Sequence, residues 1–454
     1  MTSSFLFEIF TRAFPITVLP YMRSLGFLLA VAFIAPSAVA AQTRPPIRQL
    51  GPVQATSTDS LRAITNVRAL PGGRLLVNDM LSRRVLMMDS TLTVVAVVAD
   101  STPSTANAYG PRNGSLIGFR GDSTLFVDAA SLSMLVIDPA GKIGRVMSVP
   151  RSQDAMMLAA GGMGAGAFYS EGHLVYRGMP GVQMRMGPNG PSAPSIADTM
   201  PIVRINLATR VLDTLGFTKV NMPKTSMTTV DGKMNISIEV NPLPTIDEWT
   251  VTSDGKVAIV RGKDYHVDWV APDGTRSSSS KIPFDWKRLT DDDKVAFIDS
   301  VKAQRERAAA ANPNQGSQMA QAFGAAMGSG AGAAAPQMVM RFESRGATGG
   351  PGSMPQVMAP SINMVSPSEL PDYQPPFLAT WVKPDADGNV WVRTINTKPT
   401  AGGPVYDVIN GTGEIVDRVQ IPADRNIIGF GVGGVVILAR TAGLLTWLER
   451  ARVH

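Results

Sequence analysis

Short apolar runs set off by Gly- and Asp-bearing turns recur along most of the chain. Leu75-Leu76-Val77, Val257-Ala258-Ile259-Val260 and Val390-Trp391-Val392 are almost wholly apolar. Runs this short, bounded by turn residues, predict strands rather than helices, and unbroken apolarity predicts burial on both faces. Pro71-Gly72-Gly73, Asp254-Gly255 and Asp387-Gly388 stand before them as hairpin signals. A second signal follows the central run, at Asp138-Pro139-Ala140-Gly141, Pro272-Asp273-Gly274 and Gly411-Thr412-Gly413.

These signals define a repeat, with clear copies at 64–98, 115–150, 248–283 and 380–422 and weaker ones at 162–219 and 427–453. Four strands joined by hairpins make one propeller blade. The last copy holds only three strands, and the β-like stretch Ile47 to Thr56 is free to complete it. The count predicts an all-β fold, a single six-bladed β-propeller over 47–450. An insertion at 284–370 breaks the pattern. Thr290 and the acids Asp291, Asp292 and Asp293 predict a capped helix over 290–309, with Val295, Ile298 and Val301 as its apolar stripe. The Gly-, Ala- and Met-rich stretch 310–360 predicts a flexible loop.

The D-G-[KN]-hydrophobic turns at 254–257 and 387–390, with GGRLLVND at 72–79, resemble the six-bladed β-propeller superfamily in its NHL-repeat and TolB-like group. LPDYQPPF at 370–377, leading into DADGNVWVR, resembles exported bacterial propellers of unassigned activity. The resemblance spans about 47–450 and implies the architecture, not a chemistry.

Residues 22–41 have the charged start, apolar run and Ala38-Val39-Ala40 site of a secretory signal peptide, and Met22 is the expected true start. The expected location is periplasmic or extracellular, with no membrane span after cleavage. With no cysteine, disulfides and thiolate metal sites are excluded. The net charge of +6 becomes +5 when Glu8, Arg12 and Arg23 leave with residues 1–41. So mild and dispersed a charge argues against nucleic acid as a partner. A monomer is expected.

Candidate chemistry is sparse. His173 and His266 fall in different repeats and His454 is terminal, so no zinc set forms and no cofactor is expected. The Gly-rich stretch 161–166 lacks the Lys-Ser/Thr ending of a phosphate loop. Asp254 and Asp273 are expected to serve their turns. Residues near the end of each second strand form the one suggestive set: Asp79, Asp128, Arg177, Arg261, Arg393 and Arg440. Facing one mouth, they would bind an anionic small molecule or an acidic protein patch. The competing expectation is that these arginines pair with neighbouring Asp or cap loop carbonyls. The set points to a non-enzymatic binding protein. The alternative is a metal-dependent hydrolase or lyase of the lactonase or sugar-acid type, as the superfamily resemblance allows.

Overall fold

The computed structural model describes residues 44–101, 109–111, 114–159, 166–183, 186–187, 190–191, 195–230, 233–311, 361–396 and 402–453. The expected signal peptide, positions 161–165 of the Gly-rich stretch and most of 310–360 lie outside the described residues. Two compact units divide the chain, 1–41 and 42–454.

The second unit is built of small, mostly antiparallel β-sheets, as in a β-propeller. Among the described residues five of them have four strands and one has five, and they succeed one another along the chain at 64–99, 114–148, 168–219, 247–278, 382–420 and 425–452. Within each, consecutive strands pair antiparallel. The apolar runs form the second strands. Leu75–Asp79 and Thr124–Asp128 are buried at every position, which a sheet packed on both faces requires.

Apolar clusters lie between sheets. Leu76, Val85 and Met87 of the 64–99 sheet meet Leu116, Phe126 and Leu135 of the next. Similar clusters join 114–148 to 168–219, then 168–219 to 247–278, then 247–278 to 382–420. The 382–420 and 425–452 sheets meet through Trp391, Tyr406, Val436 and Leu438. Leu75, Val77 and Leu86 then pack with Ile437 and Leu448, joining the last sheet to the first.

The turns repeat one physical device. Asp138, Asp385 and Asn410 each accept the backbone N–H groups two and four residues on. Three residues after each stands a Gly, with φ of 86° at Gly141 and 94° at Gly388, which a residue bearing a Cβ rarely adopts. Asp254 and Asp273 each accept the N–H two residues on within their own turns, as expected of turn residues.

The expected outer strand over 47–56 is divided. Ala55–Thr56 pairs antiparallel with Leu445–Arg452 and gives the last sheet its fourth strand. Ile47–Gln49 instead pairs parallel with Ile415–Gln420, as a fifth strand on the preceding sheet. Arg48 fixes it by an ion pair with Asp417, and Gln49 donates to Gln420 at 2.6 Å.

The insertion also differs from expectation. The helix Asp291–Ala311 is capped as expected, with the Asp293 N–H donating to Thr290 Oγ1 at 3.2 Å and the Thr290 N–H donating back to Asp293 at 3.0 Å. Of the expected stripe, Ile298 is buried and packs with Leu243, Val365 and Leu370, whereas Val295 is 46% exposed. The helix is too lightly covered to need a full stripe. A three-stranded sheet not expected from the repeat joins Lys224–Val230, Lys233–Val240 and Ser361–Met364. Its hairpin signal, Val230-Asp231-Gly232-Lys233, is of the same type as the blade turns. Among the described residues no helix is long and apolar enough to cross a membrane.

Candidate functional site

First strands come from each of the six sheets: Ile64–Ala69, Gly114–Gly118, Phe168–Ser170, Asp247–Val251, Val382–Pro384 and Arg425–Gly431. These strands and the turns after them surround a cavity of about 800 Å³. Its walls are stretches 66–69, 116–119, 166–171, 250–255, 382–386 and 428–430, one from each sheet. A volume in this range suits a small molecule.

Among the described residues two cations line this cavity, Arg68 and Lys383. Arg68 alternates along its strand with Val67 and Ala69, which pack back against the last sheet. Its side chain therefore leans the other way, over Gly118. A Cβ on Gly118 would stand 3.2 Å from the guanidinium carbon, so this Gly leaves the space that Arg68 occupies. Burial lowers the Arg68 pKa, opposed only by the field of Asp122. Arg68 Nε is buried without a hydrogen-bond partner. Lys383 likewise has its pKa lowered by burial, opposed by Glu248. The Glu248 carboxylate is already engaged elsewhere, by Arg177 at 3.4 Å and by the Thr380 N–H at 3.2 Å. Thr250, on the 250–255 stretch, is fully buried and has a hydroxyl with no partner.

The acids on the walls are differently placed. Asp254 accepts from Thr252 Oγ1 and pairs with Lys256 at 2.8 Å. Asp385 accepts from Asn389 Nδ2 and Trp391 Nε1 at 2.8 and 3.0 Å. Glu171 is exposed at its turn.

None of the six residues singled out from sequence lines this cavity. Asp79, Asp128, Arg177 and Arg261 do share the fifth position of their strands. Asp79 accepts the N–H groups of Arg62 and Ala63 and an Arg84 hydrogen bond, anchoring the entry to its sheet. Asp128 caps its own loop through Ala130 N–H and Ser131 Oγ. Arg261 bridges Asp247 at 2.8 Å and Asp268 at 2.7 Å. Arg440 pairs with Glu449 at 3.0 Å, a carboxylate it shares with Arg425. Arg393 sits at the fourth position, so strand alternation turns it to the other face. There its guanidinium lies 4.3 Å from the centre of the Trp381 ring. Three of the four arginines thus hold carboxylates already, and an anion would have to displace them.

Among the described residues no three His, Asp or Glu side chains gather as a metal-binding group. His266 lies between Asp264 and Asp268, at 2.7 and 3.2 Å, while His173 contacts Asn206 and a backbone carbonyl.

No protein-family model and no curated protein sequence matches this chain. Similar solved structures include a streptogramin B lyase, 9% identical over 88% of this chain and 86% of that one, with a TM-score of 0.34. A member of the DUF4221 family from Bacteroides vulgatus is 8% identical over 90% and 97% of the two chains, with a TM-score of 0.40. The calcium-binding protein regucalcin from Agrobacterium tumefaciens is 11% identical over 90% and 98%, with a TM-score of 0.33.

Proposed function

We propose that this chain is an exported six-bladed β-propeller that acts by binding a small ligand in its central cavity. The blade count rests on the six successive sheets and on apolar clusters that join each sheet to the next and the last to the first. Export rests on the leader pattern at 22–41. The binding reading is carried by one observation, a cavity of about 800 Å³ to which every one of the six sheets contributes wall. Binding rather than catalysis is favoured by the wall carboxylates Asp254 and Asp385, which are committed to their own turns.

Native mass spectrometry of the protein isolated from its producing cells tests this reading. A small molecule retained at about one per chain and released on denaturation is expected. The Ala386→Trp variant, which fills the cavity from one wall, should fold and lose that molecule. Equal retention by wild type and variant, or no retained mass together with no melting shift across a metabolite panel, would overturn it.

A further inference from the structure

We propose that Lys383 is a site of reversible covalent capture, where the ε-amine holds an aldehyde ligand of the central cavity as an imine; this deepens the ligand-binding reading above and rests on it. The placement of the side chain carries the proposal. Lys383 lines the cavity from the first strand of its sheet and pairs across that sheet with Trp391. Residues paired in this way share a face. The Trp391 ring packs between this sheet and the last, 4.9 Å from the Phe430 ring. Lys383 therefore lies on the face turned to the last sheet, whose Ile428, Gly429 and Phe430 form that wall of the cavity. None of these three side chains can accept a hydrogen bond. Asp385, two residues on from Lys383, is engaged by Asn389 and Trp391. Lysine is treated differently elsewhere in the molecule. Among the described residues three lysines are not exposed, and two of them, Lys256 and Lys294, each hold a carboxylate at 2.8 Å. Lys383, the third, has no ion pair or hydrogen bond among the described residues.

An ammonium is no nucleophile, whereas the free amine is one. Withdrawal from water with no carboxylate in contact favours the free amine, and burial does lower this group's pKa against the field of Glu248. A lysine in such a setting is suited to bond with a carbonyl carbon. The nitrogen lone pair attacks that carbon, and the carbinolamine then loses the former carbonyl oxygen together with both amine hydrogens as water. No oxidant, reductant or metal enters the step. Water reverses it, so the ligand can be held and later released.

Reductive trapping tests this. The purified chain is held with limiting benzaldehyde and cyanoborohydride, which fixes an imine as a stable amine, and the labelled lysines are found by peptide mapping. Lys383 should be labelled roughly tenfold or more faster at pH 7 than the exposed Lys281, as expected for an amine whose pKa lies a unit or more lower. Its rate should also level off at a lower pH. Lys383→Arg, which keeps the charge, should fold and lose the fast label without changing the others. Ala386→Trp should slow labelling of Lys383 alone, because the aldehyde reaches it through the cavity. Labelling of Lys383 no faster than that of Lys281 would overturn the proposal, as would fast labelling that Ala386→Trp leaves untouched. A small molecule retained by the native chain, lost in Ala386→Trp and never fixed to Lys383 by reduction would sink the imine but leave the ligand-binding reading standing.

Discussion

Arginine serves two different ends in this molecule, according to which strand of a sheet bears it. At the ends of second strands Arg177 and Arg261 meet carboxylates from first strands, Glu248 and Asp247. On the first strand of the opening sheet, Arg68 leans across to the next sheet and meets no carboxylate among the described residues. Both kinds are withdrawn from solvent, so burial does not tell them apart; partnering does. A paired cation braces strands together, whereas a cation enclosed without a partner keeps a free-energy cost that a ligand can relieve.

The sharpest way to break this comparison is to remove a partner from the braces. Glu449 is buried and holds both Arg425 and Arg440. The Glu449→Gln variant should lose about 3 kcal/mol in denaturant unfolding, the typical cost of breaking a buried pair from one side. A loss below roughly 0.5 kcal/mol, the level of an exposed pair, would mean these arginines are not braces. A smaller effect is expected at Tyr265, whose buried hydroxyl donates to Asp407 at 3.0 Å beside Arg418. Tyr265→Phe should cost about 1 to 2 kcal/mol, and no loss would show that Arg418 alone satisfies Asp407. In the cavity the sign should reverse. Without ligand, Lys383→Met should leave stability unchanged or raise it by up to about 1 kcal/mol, because an unpaired charge leaves a half-buried site. A clear loss would place Lys383 among the braces.

The smallest effect concerns pH. Burial raises the Glu248 carboxyl above its ordinary value, against the Arg177 charge and the Thr380 N–H. Burial outweighs them because the residue is only 1% exposed. A carboxyl whose folded pKa is raised holds its proton more tightly in the folded chain. Its contribution to stability is therefore full at acid pH and is lost as pH rises through the folded value. Glu248→Gln has no such proton. The stability difference, wild type minus variant, should be most favourable to wild type below the ordinary value of 4.5 and should shrink as pH rises above it. A difference independent of pH would show that Arg177 keeps Glu248 ionised throughout.

Much of the fold is legible in the sequence because its determinants are local. Asp387-Gly388 forms its turn with neighbours two and four residues away, and Val390-Trp391-Val392 is apolar whichever sheet it packs against. The cavity is not legible, for two reasons. Counting five or six residues from the turn Gly groups Arg393 with Arg261, but after the same kind of turn Arg393 stands one position earlier in its strand, and a shift of one position changes the face of a strand. Partnering, moreover, is a long-range fact. Glu248 stands 71 residues from Arg177, and nothing in the stretch around Arg68 tells that its guanidinium goes without a carboxylate. A cation inside an otherwise β-rich first strand, as in Asn66-Val67-Arg68-Ala69, is the one available hint.

The segment 44–57 sets the order in which the chain is finished. Arg48 and Asp417 are 369 residues apart, and Ser57 Oγ accepts the N–H of Leu448 across 391. Bringing such distant stretches together costs more chain entropy than closing any hairpin. These two short strands therefore dock late, after the sheets that receive them. Until then the edges at Ile415–Gln420 and Leu445–Arg452 stand open to any other β-strand, so the hazard this protein carries is a second, unfinished copy of itself.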